Sequence, residues 1–293
     1  MANRALVITL SLIMQLSFNS VQDVNTNIQN NPADYDLNPY SQVDLTVIEH
    51  NNISEYELDN LIITDDSFQN STIESPNTEI KQENKREIDP NKPMIALTYD
   101  DGPSKYTNEL LELLKENNSA ATFFVLGSQV NKFEDTIIQM IEDGNQIGNH
   151  SYDHQRLTTL NDEELYNQIN KTDNLIYEAA LYKPFVMRPP YGSTSEALIE
   201  KLQKPIIKWS IDTRDWESRN ADAITDIVLE KVNDGDIILM HDLYESSLEA
   251  SKTVIPELIK RGYQLVTVSE LSEYKEISLK AGKSYYNMYK WTR

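Results

Sequence analysis

The spacing of apolar side chains changes character near residue 90. From 21 to 87, Asn, Asp, Ser and Gln dominate and no period of two or of 3.6 is sustained, so 21–90 reads as an extended, largely disordered linker. Beyond "IDPNKP", short apolar runs alternate with amphipathic stretches. The runs predict strands at 94–99, 120–125, 145–149, 184–187, 206–211, 236–240 and 263–268. The amphipathic stretches predict helices at 107–117, 132–143, 162–180, 195–203, 221–233 and 248–261. Gly144, Gly235 and Gly262 stand near the ends of three of these and can supply the left-handed residue that closes a helix. Asn161 and Glu164 have the spacing of a capping box ahead of the apolar stripe Leu165, Ile169, Leu175 and Ile176.

Strands alternating with helices imply parallel pairing with helices outside, in a (β/α) barrel or an open doubly wound sheet. No "GxGxxG" or "GxxxxGK[ST]" follows the first strand, so no nucleotide site is indicated. In a barrel, catalytic residues gather at the C-terminal ends of strands, a test for the polar residues found there.

Composition adjusts this picture at the two ends of the chain. Only 39% of the 293 residues are hydrophobic, consistent with a part that does not pack. Residues 21–87 hold fourteen acidic side chains against Lys81, Lys85 and Arg86, about half of the net charge of −21. That charge opposes unaided binding to nucleic acid or anionic lipid. Residues 1–20 carry Arg4 and then an apolar stretch of signal-peptide length, too short to span a bilayer comfortably. An export signal is expected there, with an uncleaved anchor or a buried helix as the alternatives. The absence of cysteine excludes disulfides, thiolate ligands and a Cys nucleophile. The basic, Tyr-rich extension at 273–293 is expected to pack under the barrel rather than to bind an anionic polymer.

Five polar clusters fall at strand ends. In "TYDDGP", Asp100 and Asp101 follow an apolar run; a strand continuing through both would aim them at opposite faces, and Gly102-Pro103 is expected to end it first. "HSYDH" holds two of the four histidines, and its spacing can bring His150 and His154 together on a helical turn beside a carboxylate, a ligand set for a divalent ion. His241 ends the sixth run in "ILMHD", and a carboxylate of "DTRDW" can orient its ring and raise its pKa. "MRPPYG" offers Arg188 as a partner for an acid and the Tyr191 N–H as a donor.

Together and in this order, "TYDDGP", "HSYDH", "RPPYG", "DTRDW" and "ILMHD" resemble the five motifs of the polysaccharide deacetylases, the NodB-homology domain of family-four carbohydrate esterases. The resemblance covers about 93–271 and departs only at Tyr99, where the family often has Phe. It implies a distorted (β/α) barrel of about seven parallel strands at 91–272, preceded by the disordered N-terminal region. It further implies that Asp101, His150 and His154 hold one divalent ion, zinc first, with cobalt, nickel or manganese as alternatives. Asp100 would be the general base, paired with Arg188; His241 would be the general acid, held by Asp215. The Tyr191 N–H would face the oxyanion, and Trp216 with Leu239 would form an apolar slot for a methyl group.

The implied activity is removal of N-acetyl groups from amino sugars of a surface polysaccharide with release of acetate. Peptidoglycan is expected, with chitin or poly-N-acetylglucosamine as rivals. A silent glycan-binding domain of the same fold, or a metal hydrolase acting on another amide or a phosphoester, are the competing classes. A secreted or cell-surface monomer, associated with membrane or wall through its N-terminus, is the expected setting.

Overall fold

The computed structural model describes residues 86–289. The expected leader at 1–20 and the linker as far as residue 85 lie outside the described residues. The last residues of that expected linker are held against the fold: Arg86 donates to the Leu265 carbonyl and pairs with Glu270 at 2.7 Å, and Ile88 packs on the core.

The chain alternates as its apolar pattern predicts. Strand β1 (Met94–Asp100) leads to α1 (Thr107–Glu116), β2 (Thr122–Val125), α2 (Gly127–Val130), α3 (Glu134–Glu142) and β3 (Gln146–Asn149). Then come α4 (Asp162–Ala180), α5 (Glu196–Leu202), β4 (Ile206–Ile207), β5 (Ile211–Asp212), α6 (Asp215–Ser218) and α7 (Ala221–Lys231). The chain continues through β6 (Ile237–His241), α8 (Glu245–Lys260), β7 (Gln264–Leu265), α9 (Val268–Tyr274) and β8 (Ser284–Tyr285). Helix α4 has the predicted bounds, and its capping box between Asn161 and Glu164 is formed in both directions.

Strand β1 is flanked by β2 and β6, with β3 beyond β2 and β5 beyond β6, all parallel. Met187 bridges Asn149 at the end of β3 on one side and Ile206 of β4 on the other. Strand β8 pairs with β4, and Asn287 just beyond it bridges Asp236 ahead of β6. Followed from neighbour to neighbour, the pairing returns to its start, which is a distorted barrel. Two short strands enter its wall at the N-terminal end. Strand β7 pairs only with Met94 and Ile95, before β1 meets β2 at Thr98, and its Leu265 carbonyl accepts the Ala120 N–H. Strand β8 enters between β4 and the approach to β6.

Several expected elements differ. The strand at 184–187 shrinks to the single bridging residue Met187, since Pro184 has no N–H and Phe185 faces solvent. The run at 206–211 splits because its backbone changes partner, with Lys208 N–H donating to Tyr285 and Ser210 N–H to Ile237. The run at 263–268 keeps only two strand residues, since Thr267 and Glu270 form a second capping box that starts α9. Gly235 does not close α7, whose cap is Val232; it turns the chain at φ +93° into β6, and a Cβ there would lie 2.7 Å from the Met288 carbonyl.

Alternation along β1 sorts the core into an outer and an inner layer. Ile95, Leu97 and Tyr99 pack outward with side chains of α1, α3, α7 and α8. Met94 and Ala96 point inward with Phe124, Ile207, Ile237 and Met288 of the C-terminal extension. Thr98 and Asp100 are the next two rungs of that inner face. The interior therefore runs from an apolar floor to a polar mouth.

Candidate metal centre

Strand β1 runs through Asp100, one residue further than expected. The break falls at Asp101, whose φ of 71° puts a non-glycine residue in the left-handed region. That reversal cancels the alternation that would send neighbouring side chains to opposite faces, and a cis Gly102–Pro103 bond follows it. Left-handed residues recur around the mouth at Ser151, His154, Tyr191 and Arg214. Each costs on the order of 1 kcal/mol and needs surrounding contacts to persist.

His150 directly follows β3, and "HSYDH" is a loop rather than the helical turn expected from its spacing. It is shaped by side chains: Asn149 Oδ1 accepts the Ser151 N–H at 2.8 Å, and Ser151 Oγ accepts the His154 N–H at 3.1 Å. His150 Nδ1 lies 2.6 Å from the Arg188 carbonyl, which can only accept, so Nδ1 carries the proton. In the neutral ring, Nε2 then turns a lone pair toward Asp101 Oδ1 at 3.3 Å, and His154 Nε2 stands 3.4 Å from the same oxygen.

Asp101 Oδ1 is buried and has no hydrogen-bond partner among the described residues. It forms, with the two histidines, a cluster whose ligand atoms all lie within 4.8 Å of one another. A carboxylate oxygen facing ring nitrogens of two histidines is satisfied by a proton or a metal ion between them, and two His with one carboxylate suit a divalent metal. The three residues therefore fit the ion. Burial pushes the Asp101 carboxyl up, but once His150 is protonated its Nε2–H and charge, with the charges of His154 and His241, outweigh this and hold it at about 2. Burial pushes His150 down, while Asp100 and Asp101 raise it further, so protons compete with metal for this site.

Asp100 closes the inner face of β1 and is 3% exposed. Its Oδ1 accepts from Arg188 Nη1 at 2.7 Å, while Oδ2 stands 3.7 Å from His150 Nε2. Arg188 is fully buried in the barrel interior, 4.1 Å above the Phe124 ring. It also donates to Thr98 Oγ1 at 2.8 Å and to the carbonyls of Ile207 at 3.0 Å and Lys208 at 2.9 Å.

His241 sits beside Asp100, as its register partner on β6. Its Nδ1 is 2.8 Å from Asp215 Oδ1, and its backbone N–H donates to Asp215 Oδ2 at 2.7 Å. Burial lowers the His241 pKa, but the Asp215 hydrogen bond and charge overcome this and raise it to about 9. Leu239 lies two residues earlier on the same face and is buried, whereas Trp216 on α6 is 46% exposed. The Tyr191 N–H has no acceptor among the described residues, and its ring meets His154 edge-on at 4.6 Å.

Motif reading missed several supporting groups. Ser247 Oγ donates to Asp215 Oδ2 at 2.6 Å, and Lys208 Nζ donates to the Gly192 carbonyl of the "RPPYG" loop. Asp242 is buried against Gly102, where a Cβ would come within 2.2 Å of its Oδ2, and it accepts from Thr107 Oγ1 at 2.7 Å. Burial pushes its carboxyl up to about 7. The only signal for it was its place next to His241.

Known proteins resemble this chain in sequence and in fold. A family model for polysaccharide deacetylase matches residues 87–205. The peptidoglycan-N-acetylmuramic acid deacetylase PdaC of Bacillus subtilis (strain 168) is 44% identical over 190 residues, 64% of this chain and 41% of the relative. The peptidoglycan-N-acetylglucosamine deacetylase PgdA of Listeria monocytogenes serotype 1/2a (strain 10403S) is 43% identical over 194 residues, 66% of this chain and 41% of the relative. The chain thus spans about two fifths of the length of these relatives. The solved structure of a family 4 acetyl xylan esterase from Clostridium thermocellum, in complex with a cobalt ion, superposes with a TM-score of 0.63 at 31% identity, covering 66% of this chain and 98% of that one. A likeness that takes in nearly the whole of a solved relative makes this chain a member of the polysaccharide deacetylase family.

Proposed function

We propose that this protein is a metal-dependent N-deacetylase of peptidoglycan, removing acetyl groups from its amino sugars and releasing acetate. The observation that carries the reading is the placement of Asp100 and His241 as lateral neighbours beside the Asp101, His150 and His154 cluster. The names of the relatives support peptidoglycan over chitin, and they differ in the sugar named.

A divalent ion held by Asp101, His150 and His154 would supply Lewis acidity toward a water and a carbonyl oxygen. Zinc is the ion proposed, with cobalt, nickel and manganese compatible with the same ligands. Asp100 has one oxygen occupied by Arg188, leaving Oδ2 to take the proton of the attacking water. The Tyr191 N–H serves the developing oxyanion, a device worth about 3 kcal/mol per donor. His241 Nδ1 is engaged by Asp215, so Nε2 of the protonated ring delivers the proton that lets the amine leave as the C–N bond breaks. Leu239 and Trp216 line the place of the acetyl methyl.

The same reading makes 1–20 an export leader or anchor, 21–85 a spacer, and the protein secreted or bound at the cell surface. The test is incubation of the full chain with peptidoglycan and added metal, reading acetate release and the mass of digested muropeptides. Loss of one acetyl group per modified sugar, abolished by Asp100→Asn, is expected; metal and glycan binding without any acetate release overturns the reading.

A further inference from the structure

Six arginines fall among the described residues, and four are neutralised: Arg86 by Glu270, Arg188 by Asp100, Arg214 by Glu217 and Arg261 by Glu257. Arg156 and Arg219 have no carboxylate within 4.0 Å among the described residues. In a chain with 47 acidic and 26 basic side chains, such partners are not scarce.

The two share a second property. Arg156 lies over the Tyr191 ring at 4.6 Å, and Tyr191 packs on the metal-side His154. Arg219 lies over the Tyr244 ring at 3.2 Å, and Tyr244 meets His241 with ring centroids 5.8 Å apart. Each guanidinium is also fixed by one hydrogen bond, Arg156 Nη1 to Ser193 Oγ at 2.9 Å and Arg219 Nε to the Trp216 carbonyl at 2.8 Å. Their remaining N–H groups are thus preorganised at little further entropic cost. Arg219 also lines an open groove of about 500 Å³ with Tyr106, Tyr244 and Glu245.

We propose that Arg156 and Arg219, one on each side of the reacting centre, read carboxylates, so that the cleft takes a glycan bearing free carboxylates in preference to a neutral one. This rests on the deacetylase reading and narrows its substrate class. Planar guanidinium matches carboxylate in a two-bonded fork, which a neutral sugar hydroxyl cannot reproduce. A local positive pair also offsets the repulsion that a chain of net charge −21 exerts on an anionic polymer. Glu245, on the Arg219 groove, opposes the same anion.

The experiment uses the full, metal-loaded chain carrying Asp100→Asn to prevent turnover, and calorimetric binding of two probes of equal length. One is a peptide-free peptidoglycan strand with free lactyl carboxylates; the other is a neutral acetylated chitooligosaccharide. Arg156→Gln and Arg219→Gln should each lower the acidic-to-neutral affinity ratio about threefold to tenfold, and Glu245→Gln should raise it. A ratio that stays within about twofold in both arginine variants overturns the proposal. Should a variant fail to fold by circular dichroism, the parent decides: raising salt about tenfold should weaken acidic-strand binding alone, and equal responses of the two probes overturn the idea. Acetate release by the unaltered chain is scored separately, and its absence on both glycans would fault the deacetylase reading while leaving the binding comparison in force.

Discussion

Asp100 and His241 occupy one rung of the β1–β6 ladder, side by side on the inner face of the barrel. Adjacent strands lie about 4.8 Å apart, so the proposed base and acid flank a space the size of one acyl carbon and its substituents. The rung also links their environments, since Asp100 is bound from below by Arg188 and His241 from the side by Asp215.

Because Asp215 raises His241 to about 9 against its ordinary 6.5, the protonated ring persists well above neutrality. Asp215→Asn should therefore move the alkaline limb of the kcat/KM profile to lower pH and cut kcat about 10²-fold or more. In the metal-free protein, the stability contributed by protonated His241 is present below 6.5 and is lost as pH rises through about 9. Urea midpoints of the metal-free chain across that window should fall, and should fall less in Asp215→Asn.

Asp101→Ala removes the oxygen that both histidines face. Metal content after dialysis should drop to background, while Asp100→Asn retains metal and loses turnover. Chelation of the unaltered chain should abolish acetate release reversibly, and measured metal stoichiometry checks all three.

Arg188→Met fills much of the same volume but leaves Asp100 buried and unpaired. A loss of about 3–5 kcal/mol in urea unfolding is expected, against about 1 kcal/mol or less for Arg214→Met, whose carboxylate partner lies at the surface.

Gly102→Ala would drive a Cβ into the Asp242 carboxylate, so either that carboxylate or the backbone adjoining Asp101 must shift. Metal affinity should weaken about tenfold, with partial recovery in Gly102→Ala/Asp242→Ala. Titration with a metal indicator across the double-mutant cycle measures the coupling.

Met288→Ala should cost about 2–5 kcal/mol, as for other fully buried residues of its size. Thermal unfolding checks this. A change of that order assigns the C-terminal extension to the folded unit, whereas no change would show that the floor of the barrel does not depend on it.

Long periodic stretches were legible. Helix α4 matches its predicted bounds because nineteen residues of stripe and a capping box all agree. The candidate site residues were legible for another reason: Asp100, Asp101 and His241 fall at the ends of buried apolar runs, and His150 with His154 sets two of the four histidines within five residues. What escaped was set by non-local pairing. Strands β4, β5, β7 and β8 have two residues each, and their places depend on which neighbour offers a free edge. The left-handed turn at Asp101 was hidden too, since Gly102-Pro103 looked sufficient to end the strand. Arg156 and Arg219 were invisible because their property is a missing partner, which only three-dimensional neighbours define.

Arg188 joins two functions through one residue: its guanidinium binds Asp100, and its carbonyl fixes the His150 tautomer. It stands next to Met187, the single bridging residue between β3 and β4. The narrowest stave of the barrel therefore carries the shared anchor of the proposed base and a proposed metal ligand. Any strain that parts this seam would detune proton transfer and ion binding in the same movement, so failure at the site should be all at once rather than graded.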